Sequence, residues 1–349
     1  MTAPPSPEQQ LAFLTKLQRL FAEGDFTATY KYALLIALAD LAVELGQDDG
    51  DPLRLSHRAI AAKFIEMYWQ QTTPYASRES SGATGILLQN SGTQAAIATA
   101  IVEFRANNPA MTGRAALVLP SYQTLLQRVS HTVSDQPVKY LQNLGGRADP
   151  FLYRREHGAV VLNPGIAYCL RRFQPLVQQL ARTHWVQHVK RNRRNIPLVG
   201  ETDDLDSFLF ETPRQALAII GAGLMRLTAG RCFYCGNAVD QADVDHFVPF
   251  SMYPRDLMHN FVLAHRSCNR SKSDTLAARP HLEHWLEYVS KQDDALREIG
   301  EAAGRVIDLE SCRAVVRWGY TNAFTSGAQA WLRAGAYEPV DSRYLGCLT

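Results

Sequence analysis

The sequence predicts a mainly α-helical protein, α+β overall, with one small mixed unit in its second half. Three observations carry that expectation. Long stretches place Leu, Ile, Phe and Ala at helical spacing and are closed by glycine, as in "QQLAFLTKLQRLFAEG" and "TATYKYALLIALADLAVELG". Strand signals are confined to short passages, chiefly "FLYRREHGAVVLNPG". The stretch "RCFYCGNAVDQADVDHFVPFSMYPRDLMHNFVLAHRSCNRSKSD", from Arg231 to Asp274, gathers side chains that bind metals or move protons, of which a core-building segment needs few.

The 349 residues give room for two ordinary domains, and an apolar fraction of 46% with 20% charged residues argues against disorder over most of the length. The formal net charge is only +2, so composition alone says nothing about nucleic acid. No run approaches the ~20 apolar residues of a membrane span. The start, "MTAPPSPEQQ", lacks the basic and apolar regions of a secretory signal. Six cysteines are too few for a disulfide scaffold; Cys169, Cys312 and Cys347 are scattered singly, as in reduced intracellular proteins. A cytoplasmic location without membrane contact is expected, and the crowding of the other three cysteines favours a metal.

Along the chain, the two helices quoted above are followed by "LSHRAIAAKFIEMYWQQ", with Ser56 as N-cap. "ASRESSGATG" reads as loop, and "GTQAAIATAIVEFRANN" and "SYQTLLQRVSHTV" as further helices. Two short strands turn at His157-Gly158, and "IAYCLRRFQPLVQQLARTHWVQHVKRNRRN" reads as one long helical stretch despite Pro175. Between His157 and Gly200 there is no acidic residue, while Arg171, Arg172, Arg182, Lys190, Arg191, Arg193 and Arg194 are present. Helices, a hairpin and a basic helix suit a winged-helix DNA-binding module, and equally an ordinary helical domain with a solvated basic face. The expected division is a helical domain over 1–200 for recognition or regulation, an acidic linker at 201–214 and the mixed unit at 215–280. C-terminal helices over 281–349, "HLEHWLEYVSKQDDALREIGEAAG" and "ESCRAVVRWGYTNAFTSGAQAWLRAG", pack back on the body.

Cys232-x-x-Cys235-Gly236 has the spacing of a zinc turn, although a redox pair is spelled the same way. His265-x-x-Cys268 repeats the spacing and completes a four-ligand set, which implies a structural Zn2+. "ADVDHFVPFS" reads as a short strand with Asp245-His246 at its end and Pro249 breaking it.

The combination "CFYCG…VDHFVPFS…HNFVLAHRSCNRSKSD" closely resembles the signature of HNH endonucleases, whose core is the ββα-metal fold. The resemblance covers about Arg231 to Asp274. It implies that Asp245 binds the catalytic metal and that His246 is the general base. Asn260 then braces the loop bearing the base. Asn269, standing where the family's name has its final His, is the second protein ligand of that metal. The family's second zinc pair is often Cys-x-x-Cys; here its first position is His265.

The chemistry agrees. Phosphodiester hydrolysis needs an activated water, and a neutral imidazole takes a proton near pH 7. A hard divalent ion, Mg2+ or Mn2+, needs only two protein oxygens, because it keeps waters and takes others from phosphate. Arg270 and Lys272 follow on the helix, where they are expected to neutralise flanking phosphates, whereas Arg266 reads as an ordinary solvated cation. His259 is expected to point away from the site, and a backbone carbonyl to orient His246.

The function expected is a metal-dependent HNH endonuclease acting on DNA, of the bacterial restriction or phage-defence kind. The alternatives are a zinc-stapled module that binds nucleic acid without cutting it, and a nuclease directed at RNA, with which the same active site is compatible. A double-strand cut from one such site per chain calls for two chains or two events. A homodimer, or a partner protein docked on the N-terminal domain, is the corresponding expectation.

Overall fold

Residues 2–75, 84–109, 112–199 and 205–348 are described in the computed structural model, which divides into two units, Met1–Glu211 and Thr212–Thr349. The expected loop around 76–85 lies mostly outside the described residues, as does the first part of the expected acidic linker, 201–204. Among the described residues no helix is long and apolar enough to cross a membrane.

In the first unit, α1 (Pro7–Glu23) starts at a capping box in which Ser6 accepts from the Gln9 N–H and Gln9 reaches back to the Ser6 N–H. The central helix α2 (Tyr30–Leu45) is buried on nearly every side, as its apolar sequence requires. Its buried Asp40 carboxylate accepts from Gln174 and Gln178 at 3.3 and 2.7 Å. Strand β1 (Leu53–Ser56), unmarked in the sequence reading, leads into α3 (His57–Gln71), which Ser56 caps through the Ala59 N–H. Next come α4 (Ala96–Asn107), a short α5 (Gly113–Ala116), α6 (Pro120–Asp135) and a short α7 (Pro137–Tyr140). A small hairpin of β2 (Asn143–Leu144) and β3 (Arg147–Ala148) precedes the larger one of β4 (Tyr153–Glu156) and β5 (Ala159–Leu162).

Strands β1, β5 and β4 form one antiparallel sheet in that order, with all four residues of β5 buried. The stretch expected as one long helix is two, α8 (Ile166–Arg172) and α9 (Gln174–Arg191), broken at Phe173. Pro175 lies in the first turn of α9, where its missing N–H leaves no helical bond unmade. α10 (Ile196–Val199) follows, and the later part of the expected linker is α11 (Leu205–Phe210) rather than extended chain.

The second unit opens with α12 (Arg214–Leu227). It then builds a ββα core from β6 (Ala242–His246), a 3-10 turn (Met258–Asn260), β7 (Phe261–His265) and α13 (Arg266–Lys272). β6 and β7 are antiparallel, with Asp245 opposite Val262 and His246 opposite Phe261. α14 (Arg279–Lys291), α15 (Asp293–Ala303) and α16 (Leu309–Thr325) wrap this core. Trp285 of α14 stacks on Phe247 at 5.2 Å and donates its indole N–H to the His259 carbonyl at 3.0 Å.

The end of the last expected helix is instead a hairpin, β8 (Gln329–Arg333) and β9 (Ala336–Pro339), followed by α17 (Ser342–Gly346). Gly327 and Gly335, at φ +65° and +73°, account for the change: one stops α16 and the other makes the turn.

Candidate active site and metal centre

Two tight turns bring the cysteine set together. Gly236, at φ +73°, closes the first by donating to the Cys232 carbonyl at 2.9 Å. The second is the junction of β7 and α13, where His265 precedes the first helical turn and Cys268 lies in it. The ligand atoms of Cys232, Cys235, His265 and Cys268 all lie within 4.8 Å of one another. His265 is already oriented as a ligand. Its Nε2 meets the Ala238 carbonyl at 2.9 Å, which makes that nitrogen the donor and turns the Nδ1 lone pair toward Cys235 Sγ, 3.3 Å away.

The electrostatics of the thiols favour a cation among them. Burial opposes ionisation of Cys232, but the N–H groups of Cys235, His265 and Tyr234 outweigh it and hold the thiol below its ordinary range. Cys268 is pushed up to about 12 by burial and by the neighbouring Cys232 and Cys235 sulfurs. A divalent cation would remove that sulfur–sulfur repulsion. Three thiolates and an imidazole closing a four-ligand shell fit a structural zinc.

Beside it, β6 presents its polar residues in alternation. Asp243 and Asp245 face one side of the ribbon, and His246 ends the strand on the other. Asp245 is buried and its oxygens have partners: Tyr234 Oη donates at 2.5 Å, and Lys272 Nζ lies 3.1 Å from Oδ2. Lys272 also donates to the His246 carbonyl at 2.9 Å. Burial lowers the Lys272 ammonium from its ordinary range, and Asp245 partly restores it. Lys272, expected on the solvent side facing phosphate, is therefore a buried cation, 1% exposed. It faces inward at the end of α13, where Asp245 offsets the desolvation of its charge. Arg270 is exposed on the same helix, as expected.

The His246 ring packs against Phe261 and Phe250, with centroids 4.6 and 5.3 Å away. Its Nε2 meets a carboxylate, Asp256 Oδ1, at 2.6 Å, and not the backbone carbonyl the sequence reading expected. Asp256 accepts on its other oxygen from the Thr212 hydroxyl, which in turn accepts from Arg305 at 2.9 Å. Burial alone would raise the Asp256 carboxyl. The His246 and Thr212 bonds and the Arg305 charge outweigh it and hold the group below the usual carboxylate range.

Asn260 is buried and clamps the backbone just past His246: its Oδ1 accepts from the Val248 N–H at 2.8 Å and its Nδ2 donates to the Val248 carbonyl at 2.9 Å. The next residue back, His259, points away into α15 and meets Asp293 at 2.8 Å. Asn269 does not bond Asp245; its Nδ2 donates to Asp243 Oδ2 at 3.3 Å. Asp243, Tyr234, Asp256, Thr212 and Arg305 were all unmarked in the sequence. Asp256 sits in the irregular loop "YPRDLMHN", ten positions from His246, with no periodicity to say which way it points.

No curated protein and no solved structure matches the chain. Residues 232–278 match the HNH endonuclease family, and residues 10–203 match a domain of unknown function (DUF8808). The chain therefore belongs to the family defined by that domain of unknown function, and it carries an HNH endonuclease unit that spans the cysteine cluster and the Asp245-His246 strand.

Proposed function

We propose that this protein is a metal-dependent endonuclease that hydrolyses phosphodiester bonds in DNA, with His246 as the general base. The observation that carries this reading is the anchoring of His246. Its Nε2 is held by Asp256 at 2.6 Å and the backbone behind it is clamped by Asn260. The Nε2–H tautomer leaves Nδ1 with a lone pair for a proton. In the reaction a water attacks phosphorus, His246 Nδ1 accepts the water's proton, and the bond to the 3′-oxygen breaks. Asp256 stabilises the imidazolium that results, as an orienting carboxylate does for a catalytic histidine elsewhere.

Asp245 and Asn269 would hold the divalent ion. The donor types fit a hard cation, since both offer oxygen; to bind at the buried Asp245 carboxylate the ion would have to displace the Lys272 ammonium beside it. A bound Mg2+ or Mn2+ would supply charge relief at the phosphate and at the leaving 3′-oxygen. Arg270, exposed on α13, is assigned to a flanking phosphate.

A second reading, a zinc-stapled unit that grips nucleic acid without cutting, draws on the same Asp245–Lys272 pair, since it leaves neither Asp245 oxygen without a partner. The cellular setting proposed is a bacterial cytoplasmic restriction or phage-defence nuclease. Its support is the build of the chain, a nuclease unit after a long helical region. The deciding experiment is cleavage of supercoiled plasmid with and without Mg2+ or Mn2+, run beside His246→Ala. Metal-dependent nicking lost in the variant supports the nuclease; binding without cutting under every condition supports the second reading.

A further inference from the structure

The first unit runs helix α2, strand β1, helix α3, helix α6 and hairpin β4–β5, with the strands side by side in the order β1-β5-β4. A helix, a strand, two helices and a hairpin whose second strand pairs with the first strand is the succession of a winged helix. Here α4 and α5 are inserted between the two helices and α7 with the β2–β3 hairpin between α6 and β4, and α6 packs against both α3 and α4.

We propose that α6 is a DNA-reading helix and that, with the β4–β5 hairpin and the start of α3, it forms a face for B-form duplex DNA on this unit. The two sides of α6 differ as such a helix requires. Tyr122, Leu125, Leu126, Val129 and Val133 are buried against the unit. Gln123, Thr124, Gln127, Arg128 and His131 face solvent. Glutamine and arginine carry the forked donors and acceptors that read adenine and guanine edges, and threonine reads either. An ordinary solvated helix alternates acid and base along its outer face; α6 has no carboxylate before Asp135, its last residue. Thr124 and Gln127 make no side-chain hydrogen bond among the described residues, so their polar groups are available to a ligand.

The neighbouring parts are joined to this face by direct contacts. Arg58, in the first turn of α3, donates to Gln123. The His57 N–H donates to the Gly158 carbonyl at 2.8 Å, which sets the turn of the hairpin beside the start of α3. That turn projects into open space; His157 in it and Arg154 and Arg155 on β4 are exposed, with Arg154 beside Glu156 at 3.4 Å. Arg128 is paired with Glu103 at 2.5 Å, but both are more than half exposed, so a phosphate or a base can take the place of that carboxylate at little cost. The commitment to B-form DNA follows from shape. Its major groove admits a helix, whereas the deep, narrow groove of A-form RNA does not.

The reading concerns binding and is measured in a chain that does not cut, so it fails or holds separately from the nuclease assignment. Full-length His246→Ala is used to select from a library of short random-sequence duplexes, and affinity for the selected duplex is read by fluorescence anisotropy across a salt series. Adding Thr124→Ala and Gln127→Ala should lower affinity for the selected duplex by roughly five- to one-hundred-fold and erase the sequence preference. Adding Arg155→Ala should weaken all duplexes alike and reduce the salt slope by about 1. All three positions are exposed, so unchanged circular dichroism is expected, and Gln127→Glu provides a second variant that repels DNA without truncating the side chain. The proposal is overturned by absence of duplex binding, by binding that none of these variants alters, or by equal affinity for double-stranded RNA of the same sequence.

Discussion

Asp256 holds Nε2 of His246 at 2.6 Å, and its other oxygen is held by Thr212, itself bonded to Arg305. The imidazole thus has one tautomer and one orientation set by a carboxylate from an irregular loop. Replacing Asp256 with Asn keeps the size but offers an amide that binds the other tautomer equally well. Asp256→Asn should slow cleavage by about tenfold or more with little change in KM. Steady-state kinetics on a labelled duplex checks this, and a shift in KM alone would mean that the carboxylate serves substrate binding.

His246→Ala should remove about 10²–10⁴-fold of the rate, the share of a general base, while nucleic-acid binding and zinc content stay as they were. Asp245→Ala and Asn269→Ala should slow the reaction and also raise the Mg2+ concentration required. A metal titration of each variant separates the two kinds of loss. Cleavage by His246→Ala at the parent rate would remove His246 from the chemistry.

Lys272 and Asp245 form a buried pair, and losing one partner leaves the other charge uncompensated. Lys272→Ala should destabilise the second unit by about 3–5 kcal/mol, and Asp245→Asn made in the same chain should recover part of that. Were Lys272 a surface phosphate contact, urea denaturation would show a change within about 0.5 kcal/mol.

For the cysteine cluster, Cys232→Ser and Cys268→Ser should lower bound zinc and lower the stability of the second unit by several kcal/mol, on the order expected when a small unit loses its metal. Zinc content by atomic absorption and thermal unfolding with and without a chelator report both. Retention of one zinc per chain in Cys268→Ser would exclude that sulfur as a ligand.

His259 is buried, and burial keeps its imidazole below the ordinary histidine value against the opposing pull of Asp293. A depressed folded value means a contribution to stability that is complete above the unfolded value, about 6.5. That contribution is lost as pH falls through the lower folded value. Unfolding of the second unit should therefore become easier between neutral pH and pH ~5. In His259→Gln this slope should be shallower, as denaturant midpoints at several pH values will show.

What the sequence disclosed divides along physical lines. Helix boundaries with a local cause were legible: the Ser56 cap and the helix it begins, the glycine after α2, and the turn at Gly158. So were side chains whose spacing is itself the chemistry, such as the two Cys/His turns and the Asp245-His246 strand end. Partners supplied by irregular backbone were not legible. Asp256 and Thr212 lie on loops with no period to fix their direction, and Arg305 reaches Thr212 from just past the end of α15. The direction of Lys272 was misjudged for a related reason: on a seven-residue helix, one turn of packing decides which face is inner. The sequence predicts helix through β8 because Trp331 and Leu332 continue an apolar pattern across the break at Gly327.

The stacking of Trp285 on Phe247 bears on the order in which the protein is made. Phe247 follows His246 directly, and the indole that covers it, like the Tyr320 ring near it, is synthesised only after the ββα core has been translated. Until α14 and α16 leave the ribosome, Phe247 has the Phe233 ring of its own core beside it but not the indole and phenol rings that later cover it. The nascent chain therefore carries every residue of the HNH signature for some time before the aromatic cover behind His246 is complete. The order of the sequence makes that cover the last part to arrive, and a polypeptide cut short before Trp285 would hold the motif with its Asp256 and Asn260 partners but without the stack on Phe247.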